Sequence, residues 1–398
     1  MTILPLGFDM NVRSDTSPIL PGATLGVLGS GQLGRMFAMA AARLGYRVHI
    51  FAPENDPPAA DVALLQTEAS FDDHDAIARF ARSVDAVTFE FENIPVAAAQ
   101  VAARFAPVRP SGAVLHATQD RLREKSFLHN ASIPVTPFAE ATTEPQLQTA
   151  LATLGLPAVL KTAAWGYDGK GQTLVRTTEE AAVAWRSLAG APAILEDWID
   201  FECELSLLAA RSPNGEEAFF GPLANDHANH ILDVTAYPRP ELAKHTADAI
   251  EIARTILRKL DVVGLICIEF FLTRDGAGGG RLLVNEIAPR PHNSGHLTID
   301  ACRCSQFEQQ VRAVCGLPLG SFELTVPAAA MANLLGDVWQ TGEPQWTRVL
   351  ADPRLRLHLY GKSEARPGRK MGHLTGIDAT AEEAAALVRS ARQSLVAR

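Results

Sequence analysis

The feature that most constrains the fold is a buried strand that runs into a glycine-rich loop and then into an alanine-rich helix. Thr24–Leu28 is predicted as the strand, residues 29–34 (GSGQLG) as the loop and residues 35–44 as the helix. Further short apolar strands are predicted at residues 47–51 and at Ala86–Phe89. Strands that alternate with helices indicate a parallel sheet, so we predict an α/β protein whose N-terminal part is a parallel α/β domain.

The pattern changes after residue 119. A charged helix at residues 119–129 precedes short strands, and a second helix at residues 248–260 carries apolar side chains at helical spacing. Two apolar strands, at residues 264–272 and 282–287, are predicted to form a hairpin around the glycine-rich turn 275–280.

The last eighty residues are again rich in predicted strands and end in a helix at residues 379–396. We therefore divide the chain into four parts: an extension at 1–22, the N-terminal α/β domain at 23–118, a central domain at 119–318 and a small strand-rich C-terminal domain at 319–398.

Composition excludes several classes of protein. With 36 basic and 45 acidic residues the net charge is −9, which argues against a nucleic-acid partner. No stretch approaches the ~20 apolar residues of a spanning helix, so no membrane partner is expected. Asp9 interrupts the N-terminus before a secretory signal can form, and five cysteines suit a reducing compartment. We expect a cytoplasmic protein.

The first glycine loop, residues 29–34, follows a strand and opens a helix, which directs backbone N–H groups at an anion. A dinucleotide site would also need an acidic residue at the end of the second strand. Phe51, Ala52 and Pro53 stand there, with Glu54 beyond them. The loop is therefore interpreted as a phosphate or substrate cradle, while a purely structural turn and an NAD site remain alternatives.

The second glycine loop, residues 166–171 (GYDGKG), comes shortly after a strand that ends in Lys161. Glycines let a loop fold closely over phosphates, and Lys161 and Lys170 add neutralising charge. This loop is not a Walker motif, because it has no GK[ST] sequence opening a helix. The alternative is a solvated turn.

Carboxylates on the two hairpin strands suggest a metal site. Glu269 lies in an otherwise apolar run, where a carboxylate is costly unless it is paired or bound to a cation. Together with Asn285 and Glu286 it offers the oxygen ligands that suit Mg²⁺ bridging nucleotide phosphates. The alternative is a structural ion pair of Glu269 with Arg281 or Arg290.

Two polar segments suit an anionic substrate. Residues 290–296 (RPHNSGH) are dense in hydrogen-bond donors, and their histidines, His292 and His296, are candidates for either acid–base or structural roles. In a chain of net charge −9, the basic cluster of residues 362–370 indicates a monophosphate pocket. For both segments the alternative is a solvated loop.

These pieces together resemble the N5-carboxyaminoimidazole ribonucleotide synthetase family of the ATP-grasp superfamily. The resemblance covers about residues 23–395. It rests on the segments GSGQLGRM (29–36), TFEFEN (88–93), DRLREK (120–125), GYDGKGQ (166–172), NEIAPRPHNSGH (285–296) and RPGRKMGH (366–373).

The resemblance implies a central ATP-grasp domain that holds ATP between two sheets, with the flanking parts completing a ribonucleotide pocket. It implies these ATP-binding residues: Arg121, Lys161, Gly166, Tyr167, Asp168, Gly169, Lys170, Gly171, Gln172, Glu196, Asp197, Trp198, Ile199, Glu204, His227, Asn285 and Glu286. The implied substrate-binding residues are Gln32, Leu33, Glu90, Tyr167, Asp168, Asn293, Lys362 and Arg369. The implied metal ligands are Glu269 and Glu286, and the implied catalytic residues are these two with Lys161 and Arg290.

The resemblance further implies an ATP-dependent carbon–nitrogen ligase of purine biosynthesis. Such an enzyme joins bicarbonate to 5-aminoimidazole ribonucleotide through carboxyphosphate, with Mg²⁺ or Mn²⁺ as the metal, and commonly forms a homodimer. A sister ligase, formate-dependent glycinamide ribonucleotide formyltransferase, and a non-enzymatic nucleotide sensor are the alternatives. Two departures from the family pattern are Trp165, before the second glycine loop, and His230, where glycine is frequent.

Overall fold

The computed structural model describes residues 17–53, 58–164, 171–274 and 280–396. Across these ranges, no helix is long and apolar enough to cross a membrane. The predicted hairpin turn lies at residues 275–280, and of these only Gly280 is within the described part.

The N-terminal part is an all-parallel sheet with the strand order β3-β2-β1-β4. Its elements are β1 (Thr24–Leu28), α1 (Gln32–Arg43), β2 (Arg47–Ala52), β3 (Leu65–Glu68), α2 (His74–Arg82), β4 (Ala86–Phe89), α3 (Val96–Ala102) and α4 (Gly112–Thr118). Strands β1, β2 and β4 are mostly apolar and buried because helices cover both faces of a parallel sheet, whereas the edge strand β3 is polar and exposed. The predicted parallel α/β fold is confirmed here.

A small antiparallel sheet follows, with the order β5-β8-β6-β7. Its elements are α5 (Arg121–Asn130), β5 (Phe138–Ala141), α6 (Glu144–Leu154), β6 (Ala158–Thr162), β7 (Gln172–Val175), α7 (Thr178–Ser187) and β8 (Ala193–Asp197). Helices α6 and α7 pack their apolar faces on this sheet.

A large antiparallel sheet of eight strands forms the rest, in the order β13-β12-β9-β10-β11-β14-β16-β15. Its strands are β9 (Phe201–Arg211), β10 (Glu217–Ala228), β11 (Ile231–Tyr237), β12 (Gly264–Thr273), β13 (Leu282–Ala288), β14 (Ala328–Leu335), β15 (Leu355–Leu359) and β16 (Lys370–Asp378). The helices are α8 (Thr246–Lys259), α9 (Thr298–Ala301), α10 (Gln306–Cys315), α11 (Trp346–Leu350) and α12 (Ala381–Leu395), with 3₁₀ turns at Pro240–His245, Asn293–Leu297 and Gly336–Trp339.

The predicted C-terminal strands are present, but they do not form a sheet of their own. Strand β14 pairs with β11, so the three last strands extend the central sheet. Helix α12 then covers them, with Ala384 and Val388 in one core with Ala330 and Leu374. This arrangement gives the otherwise open edge of β11 a hydrogen-bonding partner.

Strands β10 and β11 are absent from the sequence prediction. Gly221 and Pro222 interrupt the pattern of β10, and proline argues against a central strand. The structure accommodates them with a register shift between Phe220 and Leu223, as a β-bulge does. The chain turns back at Asn229 and His230, which both have positive φ, as a two-residue hairpin of type I′ requires.

Candidate active site

A buried cluster of two lysines and one carboxylate lies between the small sheet and α5. The Lys161 Nζ is 2.9 Å from Glu196 Oε2, and the Lys125 Nζ is 3.5 Å from the same oxygen. Burial disfavours the ionised carboxylate, but the two ammonium groups outweigh it and lower the pKa of Glu196 to about 2. Glu196 therefore fixes Lys161, the predicted phosphate ligand, in place.

The segment predicted to meet adenine begins at Glu196. Because its carboxylate is buried against lysines, Glu196 supports the site through Lys161 and Lys125. Trp198 is 46% exposed and Ile199 is half-buried, so both are accessible to a ligand, and Asp197 donates its backbone N–H to Pro137.

Arg121 begins α5 beside the end of β6. Its Nη1 donates to the Thr162 carbonyl at 2.7 Å, and its backbone N–H donates to the Ala163 carbonyl at the same distance. These bonds place the guanidinium of Arg121 next to the strand that carries Lys161.

Glu204 on β9 and His227 on β10 are diagonal neighbours, because the residue directly opposite Glu204 is Asn225. The His227 Nδ1 is 2.7 Å from Glu204 Oε2. Burial lowers the pKa of His227, but the close contact with the Glu204 carboxylate outweighs it and leaves that pKa raised. The pair is partly accessible, with about a fifth of each side chain exposed.

Glu269 and Glu286 stand directly opposite each other on β12 and β13. The register shifts between Glu269 and Phe270, so Asn285 is the extra residue of a β-bulge and two residues of β13 oppose Glu269. A bulge re-aims side chains, which accounts for Asn285 and Glu286 adjoining the same carboxylate.

The two carboxyl groups have opposite pKa shifts. Burial opposes ionisation of Glu269, but His292, 2.9 Å from its Oε1, lowers the pKa of Glu269 to about 2. The Glu286 side chain is exposed to solvent. Its pKa is nevertheless raised, first by the surrounding protein atoms that displace water and second by the negative charge of Glu269. A cation between the two would relieve this repulsion.

The oxygen donors fit Mg²⁺. Among the described residues, there is no group of three or more histidine, cysteine, aspartate or glutamate side chains that could hold a metal ion. Mg²⁺ usually takes one or two carboxylates and completes its shell with phosphate oxygens and water. Glu269 and Glu286, with Asn285 beside them, match that donor set.

Arg290 does not pair with Glu269. Its Nε donates to Glu92 Oε2, and its Nη1 donates to the Pro291 carbonyl at 3.2 Å. The ion pair raises the pKa of Arg290 even though burial alone would lower it. Arg281 is not the partner of Glu269 either, so both alternatives for a structural ion pair at Glu269 are wrong, because His292 is the nearer partner.

Hydrogen bonds from the side chain of Gln306 hold the polar loop after β13 in place. Gln306 accepts from the His292 backbone N–H at 2.9 Å, donates to the His292 carbonyl at 2.7 Å and contacts His296 Nδ1 at 2.8 Å. Burial lowers the pKa of His296 well below its usual range, which indicates a structural role. Both amide atoms of buried Asn293 lack a protein partner, so they are available to a ligand.

The first glycine loop already holds a carboxylate of this chain. Gly31 and Gly34 donate their backbone N–H groups to the two oxygens of buried Glu90. A Cβ added at Gly31 would lie 2.8 Å from Glu90 Oε1, so a side chain at this position would displace the carboxylate. Burial raises the pKa of Glu90 although the N–H groups oppose this rise. In the loop interpreted as a phosphate or substrate cradle, the N–H groups of Gly31 and Gly34 thus hold Glu90, while Gln32 and Leu33 form the first turn of α1.

The basic turn is also held by the protein. The Lys362 Nζ donates to the Lys370 carbonyl and Arg369 Nη1 donates to the Glu364 carbonyl, each at 2.8 Å. Lys362 lies within electrostatic reach of Glu90, and Lys370 within reach of Glu269. The C-terminal strands thus bring this turn toward both candidate pockets.

The predicted residues Gly166, Tyr167, Asp168, Gly169 and Lys170, and also Trp165, lie outside the described residues. At the end of that segment the Gly171 carbonyl accepts from the Thr162 backbone N–H, and Gln172 begins β7.

Two supporting residues received no role from the sequence. Lys125 and Glu92 both belong to the quoted motifs, DRLREK and TFEFEN, but their partners are Glu196 and Arg290, far away in the chain. Lys125 lies among other charged residues of the predicted helix 119–129, and Glu92 follows the predicted strand Ala86–Phe89, so the sequence carried no signal that singled out either residue.

Three family models match consecutive parts of the chain. The ribonucleotide synthetase preATP-grasp domain matches residues 22–119, the ATP-grasp domain matches residues 126–307, and the phosphoribosylaminoimidazole carboxylase C-terminal domain matches residues 329–387.

Curated relatives match over nearly the whole chain. An N5-carboxyaminoimidazole ribonucleotide synthase of Brucella melitensis is 44% identical over 366 residues, which is 91% of this chain and 98% of the relative. The bifunctional purine synthesis protein purC/E of Dictyostelium discoideum is 42% identical over 374 residues. That match covers 89% of this chain and 37% of the longer Dictyostelium protein.

Solved structures match equally broadly. The N5-carboxyaminoimidazole synthetase of Staphylococcus aureus complexed with ADP has a TM-score of 0.88 and 34% identity, covering 94% of this chain and 98% of that one. The Aspergillus clavatus synthase in complex with ADP and 5-aminoimidazole ribonucleotide has a TM-score of 0.85 and 28% identity, over the same shares. The chain therefore belongs to the N5-carboxyaminoimidazole ribonucleotide synthase family of the ATP-grasp superfamily.

Proposed function

We propose that this chain carboxylates 5-aminoimidazole ribonucleotide to N5-carboxyaminoimidazole ribonucleotide, using ATP and bicarbonate, in de novo purine (IMP) biosynthesis. This activity gives the family its name, and ATP use is common to ATP-grasp ligases. The observation that carries the proposal is the facing pair Glu269 and Glu286, which lies beside the polar loop of His292 and within electrostatic reach of Lys161.

The reaction has two steps. A bicarbonate oxygen attacks the γ-phosphorus of ATP, the bond to the β-phosphate oxygen breaks, and ADP leaves. The amine of the ribonucleotide then attacks the carboxyl carbon of carboxyphosphate, or the CO₂ it releases. The carbon–oxygen bond to phosphate breaks, phosphate leaves, and the amine gives up a proton. Carboxyphosphate is short-lived in water, so the site must exclude water.

The chain's own part in phosphoryl transfer is positioning and charge neutralisation. Lys161, held by Glu196, and Arg121, held at the end of β6, would bind the ATP phosphates. Arg290, held by Glu92, would bind the developing anion next to the polar loop. Glu204 and His227, with residues 196–199, would bind the nucleoside, and residues 166–172 would cover the phosphates.

Glu269, Glu286 and Asn285 would hold Mg²⁺, or Mn²⁺ in its place, whose charge offsets that of the phosphates. Removal of either carboxylate would leave the other without its shared cation.

On the ribonucleotide side, Asn293 has two unpartnered amide atoms that would bind the substrate. Lys362 and Arg369 would bind its phosphate, since both are half-buried cations on the turn before β16. Gln32, Leu33, Glu90, Tyr167 and Asp168 would complete the pocket.

We further propose a cytoplasmic homodimer. Each subunit would consist of an extension at residues 1–22 and three domains at residues 23–118, 119–318 and 319–398. Sedimentation velocity at micromolar concentration tests the dimer, and a single monomeric species would contradict it.

The direct test is ATP hydrolysis with Mg²⁺ and bicarbonate, with and without 5-aminoimidazole ribonucleotide. We expect strong stimulation by the ribonucleotide and none by formate with glycinamide ribonucleotide. Stimulation by the second pair alone would assign the sister ligase. No hydrolysis with either pair, by protein whose circular dichroism shows it to be folded, would favour a nucleotide sensor.

A further inference from the structure

A chain of side-chain hydrogen bonds runs across the interior of the large sheet. Thr235 Oγ1 on β11 donates to Asn225 Oδ1 on β10 at 2.9 Å. Asn225 Nδ2 donates to Ser206 Oγ on β9 at 3.0 Å, and Ser206 Oγ donates to Ser294 Oγ at 2.8 Å. The chain thus joins three neighbouring strands to the polar loop after β13.

From this loop the contacts continue to Glu269, one of the two carboxylates proposed to hold Mg²⁺. Ser294 Oγ is 2.9 Å from His292 Nδ1, and His292 Nε2 is 2.9 Å from Glu269 Oε1. A hydroxyl can donate to a neutral imidazole or accept from a charged one, so the Ser294 contact persists in both states of His292. The imidazole is therefore held from both of its nitrogens.

Burial makes this chain costly unless every member is paired. Ser206, Thr235 and Ser294 are fully buried, and Asn225 is nearly so. Unpaired, each such group would cost roughly 1–3 kcal/mol. Apolar side chains carry no such requirement, and the next two positions of β9 are buried leucines, Leu207 and Leu208. Packing alone therefore does not explain why these four buried positions carry polar side chains.

The register of the sheet supplies that reason. Asn225 and Thr235 are direct cross-strand partners, and so are Ser206 and Glu269. Cross-strand partners share one face of a sheet, so the chain ends on the face where Glu269 meets His292. Hydrogen bonds behind a metal-binding carboxylate commonly set its orientation.

We propose that Ser206 and Asn225 are positioning residues for the carboxylation reaction. Acting through Ser294, they hold the His292 imidazole against Glu269 and so fix the orientation of that carboxylate. The inference rests on the proposed function for its kinetic consequences, but the placement of the imidazole is independent of activity.

The primary test is Ser206→Ala in the full chain, with Ser212→Ala as the matched control. Ser212 is also fully buried, but its hydroxyl pairs with Asn214 and Glu216 beyond the end of β9. For Ser206→Ala we expect turnover to fall about tenfold and the Mg²⁺ concentration for half-maximal activity to rise about tenfold. The KM for the ribonucleotide should stay within twofold. Ser212→Ala should change none of these.

A double variant tests whether Ser206 and Asn225 act through the same series of hydrogen bonds. The side-chain hydrogen bonds of Asn225 lead to His292 through Ser206. Adding Asn225→Ala to Ser206→Ala should therefore lower turnover less than twofold further. If the turnover losses of the two single variants multiply in the double variant, the two residues act independently and the proposed series of hydrogen bonds is wrong. If Ser206→Ala fails to fold, Thr235→Val removes the far hydroxyl with little change in shape, and we then expect a two- to threefold loss of turnover.

A spectroscopic readout separates this inference from the proposed function. In metal-free protein, ¹⁵N-labelled imidazole signals of His292, assigned with His292→Asn, should shift in Ser206→Ala and not in Ser212→Ala. An unchanged His292 signal, with unchanged turnover of a folded Ser206→Ala, overturns the inference whatever reaction the wild type catalyses. An inactive wild type with a shifted signal would overturn only the assigned reaction.

Discussion

Arg290 and Glu92 form an ion pair that joins the loop after β13 of the large sheet to the loop after β4 of the N-terminal sheet. Only about a fifth of each side chain is exposed, so neither charge is well solvated without the other. Glu92→Gln should therefore lower the free energy of unfolding by about 2 kcal/mol at pH 7 and reduce turnover. Urea unfolding of the variant measures this, with Glu92→Asp expected to retain most of the stability. Equal loss in both variants would show that the charge is not what matters.

Glu196 predicts a dependence of stability on pH. Its pKa is lowered from 4.5 to about 2, so the folded state binds its proton less readily than the unfolded state. The resulting stabilisation, about 3 kcal/mol, is present above pH 4.5 and is lost as the pH falls toward 2. The difference in unfolding free energy between wild type and Glu196→Gln should shrink between pH 5 and pH 3. A difference that is constant over that range would contradict the assignment.

Glu286→Gln tests the metal site. We expect turnover to fall at least ~100-fold at saturating Mg²⁺, because neutralisation of phosphate charge is weakened. In EDTA the variant should be no less stable than the wild type, because the repulsion between Glu269 and Glu286 is removed. The control is Glu68→Gln, an exposed position on β3. Near-normal turnover would refute the ligand role.

Arg369→Ala should raise the KM for the ribonucleotide about 10- to 100-fold, the usual cost of losing a hydrogen bond to a charged group. Turnover at saturation should change little. Arg366→Ala is the matched control on the same turn, because Arg366 is exposed and paired with Glu364. If both variants raise KM equally, the effect is general electrostatic attraction, and the phosphate lies elsewhere.

His230→Gly should stabilise the β10–β11 hairpin. His230 has φ of 65°, a region in which non-glycine residues are disfavoured by about 1 kcal/mol. Its ring contacts Gln172 only at 3.4 Å, so little is lost. A rise in unfolding free energy of about 1 kcal/mol, measured in urea, is expected. A destabilised variant would show that the imidazole makes a contact of greater weight.

Much of this protein follows from local sequence. The strand Thr24–Leu28, the strand Ala328–Leu335 and the bulk of helix α8 follow from apolar runs and helical spacing, which depend on neighbouring residues only. The family could be predicted from short sequence motifs. The residue spacing within each motif depends on a single loop or hairpin. Glu269 could be singled out because a carboxylate in a buried apolar strand requires a partner.

Tertiary structure decided what those side chains contact. The partner of Glu269 is His292 rather than an arginine, and the anion-binding loop at Gly31 is filled by Glu90, 59 residues away in the chain. The bulge at Asn285 and the hydrogen bonds behind His292 depend on strand register across the large sheet. Alternation and turns specify the register of one strand against the next. These contacts, however, join side chains from segments that are distant in the chain, so they emerge only once the whole sheet has formed.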